Sequence, residues 1–304
     1  MQRIPEVGVL AVQHQPPVHR SIDLSAGPVS EVRRGVRWRD VPVDGRTVSY
    51  GIAGSGSPVL FLHGFGLAPR TYAGAVERLA ATGVRVYAPA LPGFGGTGAL
   101  PASDHGFTGY ADWVARFLDA VGIDEPVPMI GHSFGGGVAL ASAHTLGDRV
   151  SELVLVNSVG GGAWSPSGTV REIRHRPLWR WGASAIADAV LTGTPASAIA
   201  SIAGERLRNA VRDPAALWRI GELARSADLR TEAAQIVDRG LPTTMVWSSG
   251  DTFIPRASFE SLRTALREPR VHRVAGCHGW LIGDPDGFGR AMGSVLRSPT
   301  GAAV

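Results

Sequence analysis

Lysine is absent. All 30 basic side chains are arginine, which leaves no side-chain amine for a Schiff base, for pyridoxal-phosphate chemistry or for a Walker-type phosphate loop. Cysteine is nearly absent: the single Cys277 excludes an internal disulfide framework and any multi-cysteine zinc or iron–sulfur site. Charge is sparse, at 18% of residues against about 25% in an average soluble protein, while 44% are hydrophobic, a balance that excludes a disordered chain. No apolar run approaches the ~18–20 residues needed to cross a bilayer. The N-terminal stretch is broken by Pro5, Glu6 and Gly8 and carries no recognisable cleavage site. A soluble, cytoplasmic protein is the expectation, and an all-arginine chain rich in Ala, Gly and Val fits a GC-rich bacterial genome.

The net charge is only +4, and no block of consecutive arginines exceeds the pair Arg33–Arg34. A duplex-binding protein gathers its charge on one face or arm, with polar side chains to read base edges, so nucleic acid is not an expected partner. At ~100–200 residues per domain, 304 residues hold one large domain or two.

Residues 1–30 carry Pro5, Pro16, Pro17 and Pro28 without sustained periodicity and read as an irregular arm. Two β-like runs, Val36–Val43 and Thr47–Ala53, are joined through Asp44-Gly45, a hairpin turn signal. Short apolar runs follow at Pro58–Leu62, Val84–Ala88, Val127–Ile130, Glu152–Val156, Thr243–Trp247 and Arg270–Val274, as in strands covered on both faces of a parallel sheet. Helical spacing lies between them at Tyr72–Ala81, Tyr110–Val121, Phe134–Leu146, Ala257–Leu266 and Phe288–Leu296. This alternation predicts one α/β core domain, residues 31–157 and 241–304, with a mostly parallel sheet. Residues 158–240 break the rhythm with helix-like pieces Val170–Trp181, Ala183–Leu191, Ala196–Arg208 and Pro214–Ala227, and read as a helical cap inserted between two strands.

The sharpest chemical signal is Gly131-His132-Ser133-Phe134-Gly135, which follows a strand and opens a helix. A sharp strand-to-helix turn strains the serine backbone, needs small neighbours, and lifts the Ser133 hydroxyl above the sheet near the positive helix end. A hydroxyl needs a base before it attacks. His278, in Gly276-Cys277-His278-Gly279-Trp280 just past the last strand, is the candidate, whereas His63 and His132 belong to loop motifs and read as structural. The orienting acid should fall between serine and histidine, and Asp251 does so directly after an apolar strand. Its rival, Asn157, could orient an imidazole but could not stabilise its charge. The strand ending in His63-Gly64-Phe65-Gly66 can turn the Phe65 amide toward the pocket, and the Phe134 amide supplies a second oxyanion donor.

These motifs, with the Ala88-Pro89-Ala90-Leu91-Pro92-Gly93-Phe94-Gly95 loop, make the chain resemble the α/β-hydrolase superfamily over residues 32–297. The resemblance implies an eight-stranded, mostly parallel sheet with helices on both faces, a helical cap after the sixth strand and a Ser133–His278–Asp251 triad, with no cofactor and no metal. Ala90 departs from the aspartate common in relatives, at a position that is usually structural. Ser133 argues against the dehalogenase and epoxide hydrolase relatives, which use aspartate there. The expected function is a serine hydrolase cleaving carboxylic esters of small or medium organic substrates. A carbon–carbon bond hydrolase, a cofactor-free haloperoxidase and a slow-turnover ligand receptor on the same fold are the alternatives. Gly93-Phe94-Gly95-Gly96-Thr97-Gly98 formally matches a dinucleotide fingerprint, but Leu100-Pro101 follows where a helix should open, so it reads as a loop. Trp164, Trp179, Trp181 and Trp218 either line an aromatic pocket or pack the insertion onto the core. Arg171, Arg174, Arg176 and Arg180 read first as a solvated helix face and second as an attraction for acidic substrates or a weak contact with anionic lipid.

Overall fold

Each apolar run places alternate side chains on opposite faces, and both faces are covered. In the run Pro58–Leu62, Leu60 and Leu62 join one core cluster while Val59 and Phe61 join the other. In Val150–Val156, Leu153 and Leu155 face one way and Val154 and Val156 the other. A strand buried on both faces belongs in a sheet flanked by helices. The computed structural model describes residues 35–162 and 196–296. The expected N-terminal arm, the helix-like pieces Val170–Trp181 and Ala183–Leu191, and the C-terminal residues 297–304 lie outside the described residues.

The Asp44-Gly45 signal closes a hairpin between β1 (Arg37–Val43) and β2 (Arg46–Gly54). Both turn residues have positive φ, +52° and +70°, as a tight two-residue turn between twisted strands requires. β3 (Pro58–Leu62), β4 (Arg85–Pro89), β5 (Val127–His132), β6 (Val150–Val156), β7 (Thr243–Ser248) and β8 (Arg270–Val274) complete one eight-stranded sheet in the order β1-β2-β4-β3-β5-β6-β7-β8. β1–β2 and β2–β4 are antiparallel and every other pair is parallel, as expected.

Helices α1 (Ala73–Ala80), α2 (Phe107–Ala120) and α3 (Phe134–Leu146) follow β3, β4 and β5. Between β6 and β7 come α4 (Ala196–Arg212), α5 (Pro214–Arg225) and α6 (Arg230–Asp238). α7 (Arg256–Ala265), α8 (Trp280–Gly283) and α9 (Pro285–Leu296) close the described chain. Residues of α1 and α9 pack in the cluster of Val59 and Phe61, and residues of α2, α3 and α7 in that of Leu60 and Leu62, which covers both faces of the sheet. α6 and α8 are absent from the sequence expectation for different reasons. α6 buries only Ala233 and Ile236, too thin a stripe to register as a period, and α8 is a single turn. The glycine-rich segment 93–98 forms turns and opens no helix, as read from Pro101. Among the described residues no helix is long and apolar enough to cross a membrane.

The N-terminus of α3 runs hard against β3. A Cβ added at Gly135 would lie 2.3 Å from the carbonyl oxygen of Leu62 and 2.5 Å from that of His63, both backbone atoms that cannot swing aside. Gly106, in extended backbone with nothing within 4 Å, has open space instead. Gly135→Ala should therefore cost about 2–3 kcal/mol of stability through overpacking, while Gly106→Ala stays within about 0.5 kcal/mol, as read by urea unfolding of the two variants. Equal losses would mean that α3 can retreat from β3.

Candidate active site

Ser133 stands at the junction of β5 and α3 with φ +56° and ψ −119°, a conformation that non-glycine residues adopt only when the surroundings enforce it. The enforcement is visible in its backbone bonds. The Ser133 amide donates to the Val156 carbonyl at 3.0 Å, and its own carbonyl accepts from Gly136 at 3.0 Å, Gly137 at 3.3 Å and Val159 at 3.2 Å. A Cβ on Gly131 would lie 2.3 Å from the Gly135 carbonyl oxygen, so the two small residues flanking the serine are what let strand and helix meet at this angle.

His278 stands past β8, with its ring stacked on Phe253 at 4.6 Å between centroids. Its Nδ1 donates to Asp251 Oδ2 at 2.8 Å. Asp251, in the loop after β7, is fully buried at its side chain. Oδ1 accepts from the amides of Phe253 and Ile254 at 2.8 and 2.9 Å, and Oδ2 also accepts from Asn157 Nδ2. Burial opposes ionisation, yet the neighbouring His278, its hydrogen bond, the Ile254 amide and Asn157 together hold the carboxyl below its ordinary range. Asn157 is itself fixed: Nδ2 reaches Ser248 Oγ at 2.7 Å and Oδ1 accepts from Trp280 Nε1 at 3.2 Å. In sequence Asn157 competed with Asp251 for one role; in the fold it buttresses Asp251.

A second chain of bonds ties the His63-Gly64 loop to the His278 loop. The His278 carbonyl can only accept, so His132 Nε2 carries the proton and donates at 2.9 Å. His132 Nδ1 is then the acceptor for the Tyr72 hydroxyl at 2.9 Å, and the Tyr72 oxygen accepts from the Gly64 amide at 3.1 Å. His63 is fixed the same way, donating from Nδ1 to the Gly64 carbonyl at 3.0 Å and accepting at Nε2 from the Leu91 amide at 3.0 Å. Both imidazoles are neutral. Burial pushes His63 down to about 4, and burial with the adjacent His278 pushes His132 down to about 3.

Ser133, His278 and Phe65 line one cavity with Leu67, Ile202 and Arg206. The His-Gly loop closes directly on the serine, since a Cβ added at Gly64 would lie 3.3 Å from Ser133 Cβ. Among the described residues the amides of Phe65 and Phe134 donate no hydrogen bond, and Phe134 follows Ser133 at the helix start. Cys277 also faces the cavity, and at 2% exposure it is a small buried residue. Trp218 lies on α5, whose buried face carries Ala216, Ile220 and Ala224. It is 58% exposed and is not among the described residues lining the cavity. Trp164, Trp179 and Trp181 lie outside the described residues, as do Arg171, Arg174, Arg176 and Arg180. Tyr72, Ile202 and Arg206 had no signal in the sequence, because only the tertiary fold brings them to Ser133. Among the described residues no three His, Cys, Asp or Glu side chains cluster as a metal site would need.

Strand order, serine turn and histidine loop agree with one family, and its sequence profile, that of the α/β hydrolase fold, matches residues 57–285. The chain belongs to the α/β hydrolase fold family. A pimeloyl-(acyl-carrier protein) methyl ester esterase of Aromatoleum aromaticum is 30% identical to this α/β hydrolase over 265 residues, 79% of this chain and 98% of the esterase. The enol-lactonase of Burkholderia xenovorans LB400 superimposes with a TM-score of 0.70 at 21% identity, over 86% of this α/β hydrolase and 100% of the lactonase. A bromoperoxidase of Bacillus anthracis does so with a TM-score of 0.68 at 19% identity, over 86% and 100% of the two chains. These last two likenesses are of fold.

The two neutral imidazoles carry a pH consequence. Their native values lie below the ordinary value near 6.5, so between about pH 6.5 and 4 the unfolded chain takes up protons that the native state refuses. Stability present above about pH 6.5 should therefore fall on acidification through this window, by up to about 1.4 kcal/mol per pH unit for each imidazole. Urea unfolding at pH 7, 6 and 5 measures the slope; a flat profile would show that both rings take up protons in the native state, and a halved slope that one does.

Proposed function

We propose that this α/β hydrolase is a serine hydrolase acting on carboxylic esters of small or medium organic substrates. The observation that carries this reading is the Nδ1–Oδ2 bond by which buried Asp251 holds His278, the imidazole that lines one cavity with the strained Ser133. With Nδ1 committed to Asp251, the His278 Nε2 is left as the base. It accepts the Ser133 proton as Oγ attacks the ester carbonyl, and the Phe65 and Phe134 amides hold the developing oxyanion. The imidazolium returns that proton to the departing alkoxide as the carbon–oxygen bond breaks, which leaves an acyl-enzyme and a free alcohol. Water, deprotonated by the same imidazole, then releases the acid and restores Ser133. Asp251 keeps its charge throughout and stabilises the imidazolium.

The identity to a methyl ester esterase across most of both chains supports ester cleavage. The segment 158–240 acts in this reading as a cap that selects substrates, supported by Ile202 and Arg206 of α4 on the cavity wall. The apolar Leu67, Ile202, Phe253 and Ile282 suit the hydrocarbon part of an acyl or alkyl group.

A fluorophosphonate probe should label Ser133 alone, as located by mass spectrometry, and hydrolysis of p-nitrophenyl esters should vanish in Ser133→Ala. A folded protein that resists the probe would instead favour a binding protein on a hydrolase scaffold. Asp251→Asn should lower kcat by up to ~10⁴-fold because it favours the wrong His278 tautomer and removes the stabilising charge. Asn157→Ala removes one hydrogen bond to the carboxylate and should cost only about ten- to a hundredfold. Steady-state kinetics on the two folded variants separate the roles, and the reverse ranking would reassign the acid.

A further inference from the structure

Helix α4 lines two cavities. One face turns Ile202 and Arg206 toward Ser133; the next turns Glu205, Arg208, Asn209 and Arg212 toward a separate recess of about 320 Å³. The far side of that recess is built by Trp38 of β1, Ser49 of β2, the segment Ala68-Pro69-Arg70 and the turn at Gly95-Gly96. We propose that this recess is a binding site for a small organic phosphate, a molecule carrying a doubly charged phosphate monoester group. The site is distinct from the cavity of Ser133 and independent of the chemistry proposed there.

Charge is the first argument. The lining holds three guanidinium groups against one carboxylate, a surplus of two positive charges. Of the three, Arg208 alone has a carboxylate partner among the described residues, Glu205 at 2.5 Å, and Glu205 is itself buried in the floor. Arg70 and Arg212 join the lining from different elements, one from the short helical turn before α1 and the other from the end of α4, and neither has a carboxylate partner among the described residues. A phosphate monoester carries about −1.5 to −2 charges near pH 7 and matches both, whereas a monocarboxylate would satisfy one.

Geometry is the second. Arg70 is stacked over Trp38 with its guanidinium carbon 4.3 Å from the ring centroid, which limits its freedom before any ligand arrives. Arg212 Nη1 lies only 3.3 Å from where a Cβ on Gly96 would stand, so it is the bare glycine that admits the guanidinium to this turn. The floor is rigid. Asn209, 4% exposed, donates from Nδ2 to the Gly66 carbonyl at 3.2 Å and accepts at Oδ1 from the Gly95 amide at 3.3 Å. Two planar, multiply donating guanidiniums beside a hydrogen-bonded floor suit the several oxygens of a phosphate.

Size is the third. A recess of about 320 Å³ holds more than a bare phosphate. Trp38, Ala68, Pro69 and Ala90 supply an apolar side for the attached organic group.

Isothermal titration of the full chain with glycerol 3-phosphate and with inorganic phosphate, at constant ionic strength, tests the site. We expect saturable binding at one site, tighter for glycerol 3-phosphate, and none for acetate. The variant R70Q/R212Q, at two exposed positions, should weaken phosphate binding at least about tenfold, while R149A, on a surface ion pair elsewhere, leaves it unchanged. A parallel arm measures co-sedimentation with phosphatidylglycerol and phosphatidylcholine vesicles. Binding that is confined to the anionic vesicles and lost in R70Q/R212Q would make a lipid headgroup the source of the phosphate. The proposal is overturned if none of these probes binds saturably, or if binding survives R70Q/R212Q.

Discussion

The close approach of α3 to the sheet is the constraint on which the rest of the structure depends. Gly131 and Gly135 bring backbone atoms to distances that no side chain would permit, and Ser133 is forced into a left-handed conformation at the crossing. The amide and carbonyl of Ser133 are then committed to Val156, Gly136, Gly137 and Val159, so the ends of β5 and β6 and the start of α3 share one hydrogen-bonded knot. The strain at the serine is sustained by the packing around it rather than by any local preference.

Around that knot the polar groups form two nets of different character. Asp251, His278 and Asn157 make an ionised net, with the carboxylate held charged by four hydrogen bonds. Gly64, Tyr72, His132 and the His278 carbonyl make a neutral one, in which every donor has a determined direction. The neutral net joins the loop bearing Phe65 to the loop bearing His278 without placing a second charge beside the imidazole. A protonated His132 would repel any positive charge on His278, and its burial prevents this.

Much of this arrangement is legible in the chain because it depends on local position. Ser133 is framed by its glycines, His278 follows the last strand, and Asp251 follows the strand before it; each statement needs only strand boundaries and short spacing. The sheet is legible for the same reason, since doubly buried strands read as apolar runs. Tyr72 illustrates the limit. It opens an ordinary amphipathic pattern, and nothing in the residues around it says that its hydroxyl will bridge Gly64 and His132, which lie 8 and 60 positions away. Asn209 likewise meets Gly66 and Gly95 across more than a hundred residues. Asn157 shows a subtler limit: its place at the end of β6 was informative, but the partner of its amide depends on the path of a loop nearly a hundred residues later.

Among the described residues the sheet is open, and its outer strands β1 and β8 each have a strand neighbour on one side only, leaving a rim to which a second copy of the chain could add a strand. Their sequences answer that hazard. β1 carries Arg37, Arg39 and Asp40 with Pro42 near its end, and β8 carries Arg270 and Arg273 within five residues. A neighbour docking on either rim would have to desolvate arginines and align like charges against each other. The arginines that make the chain basic thus also work against strand addition at both rims.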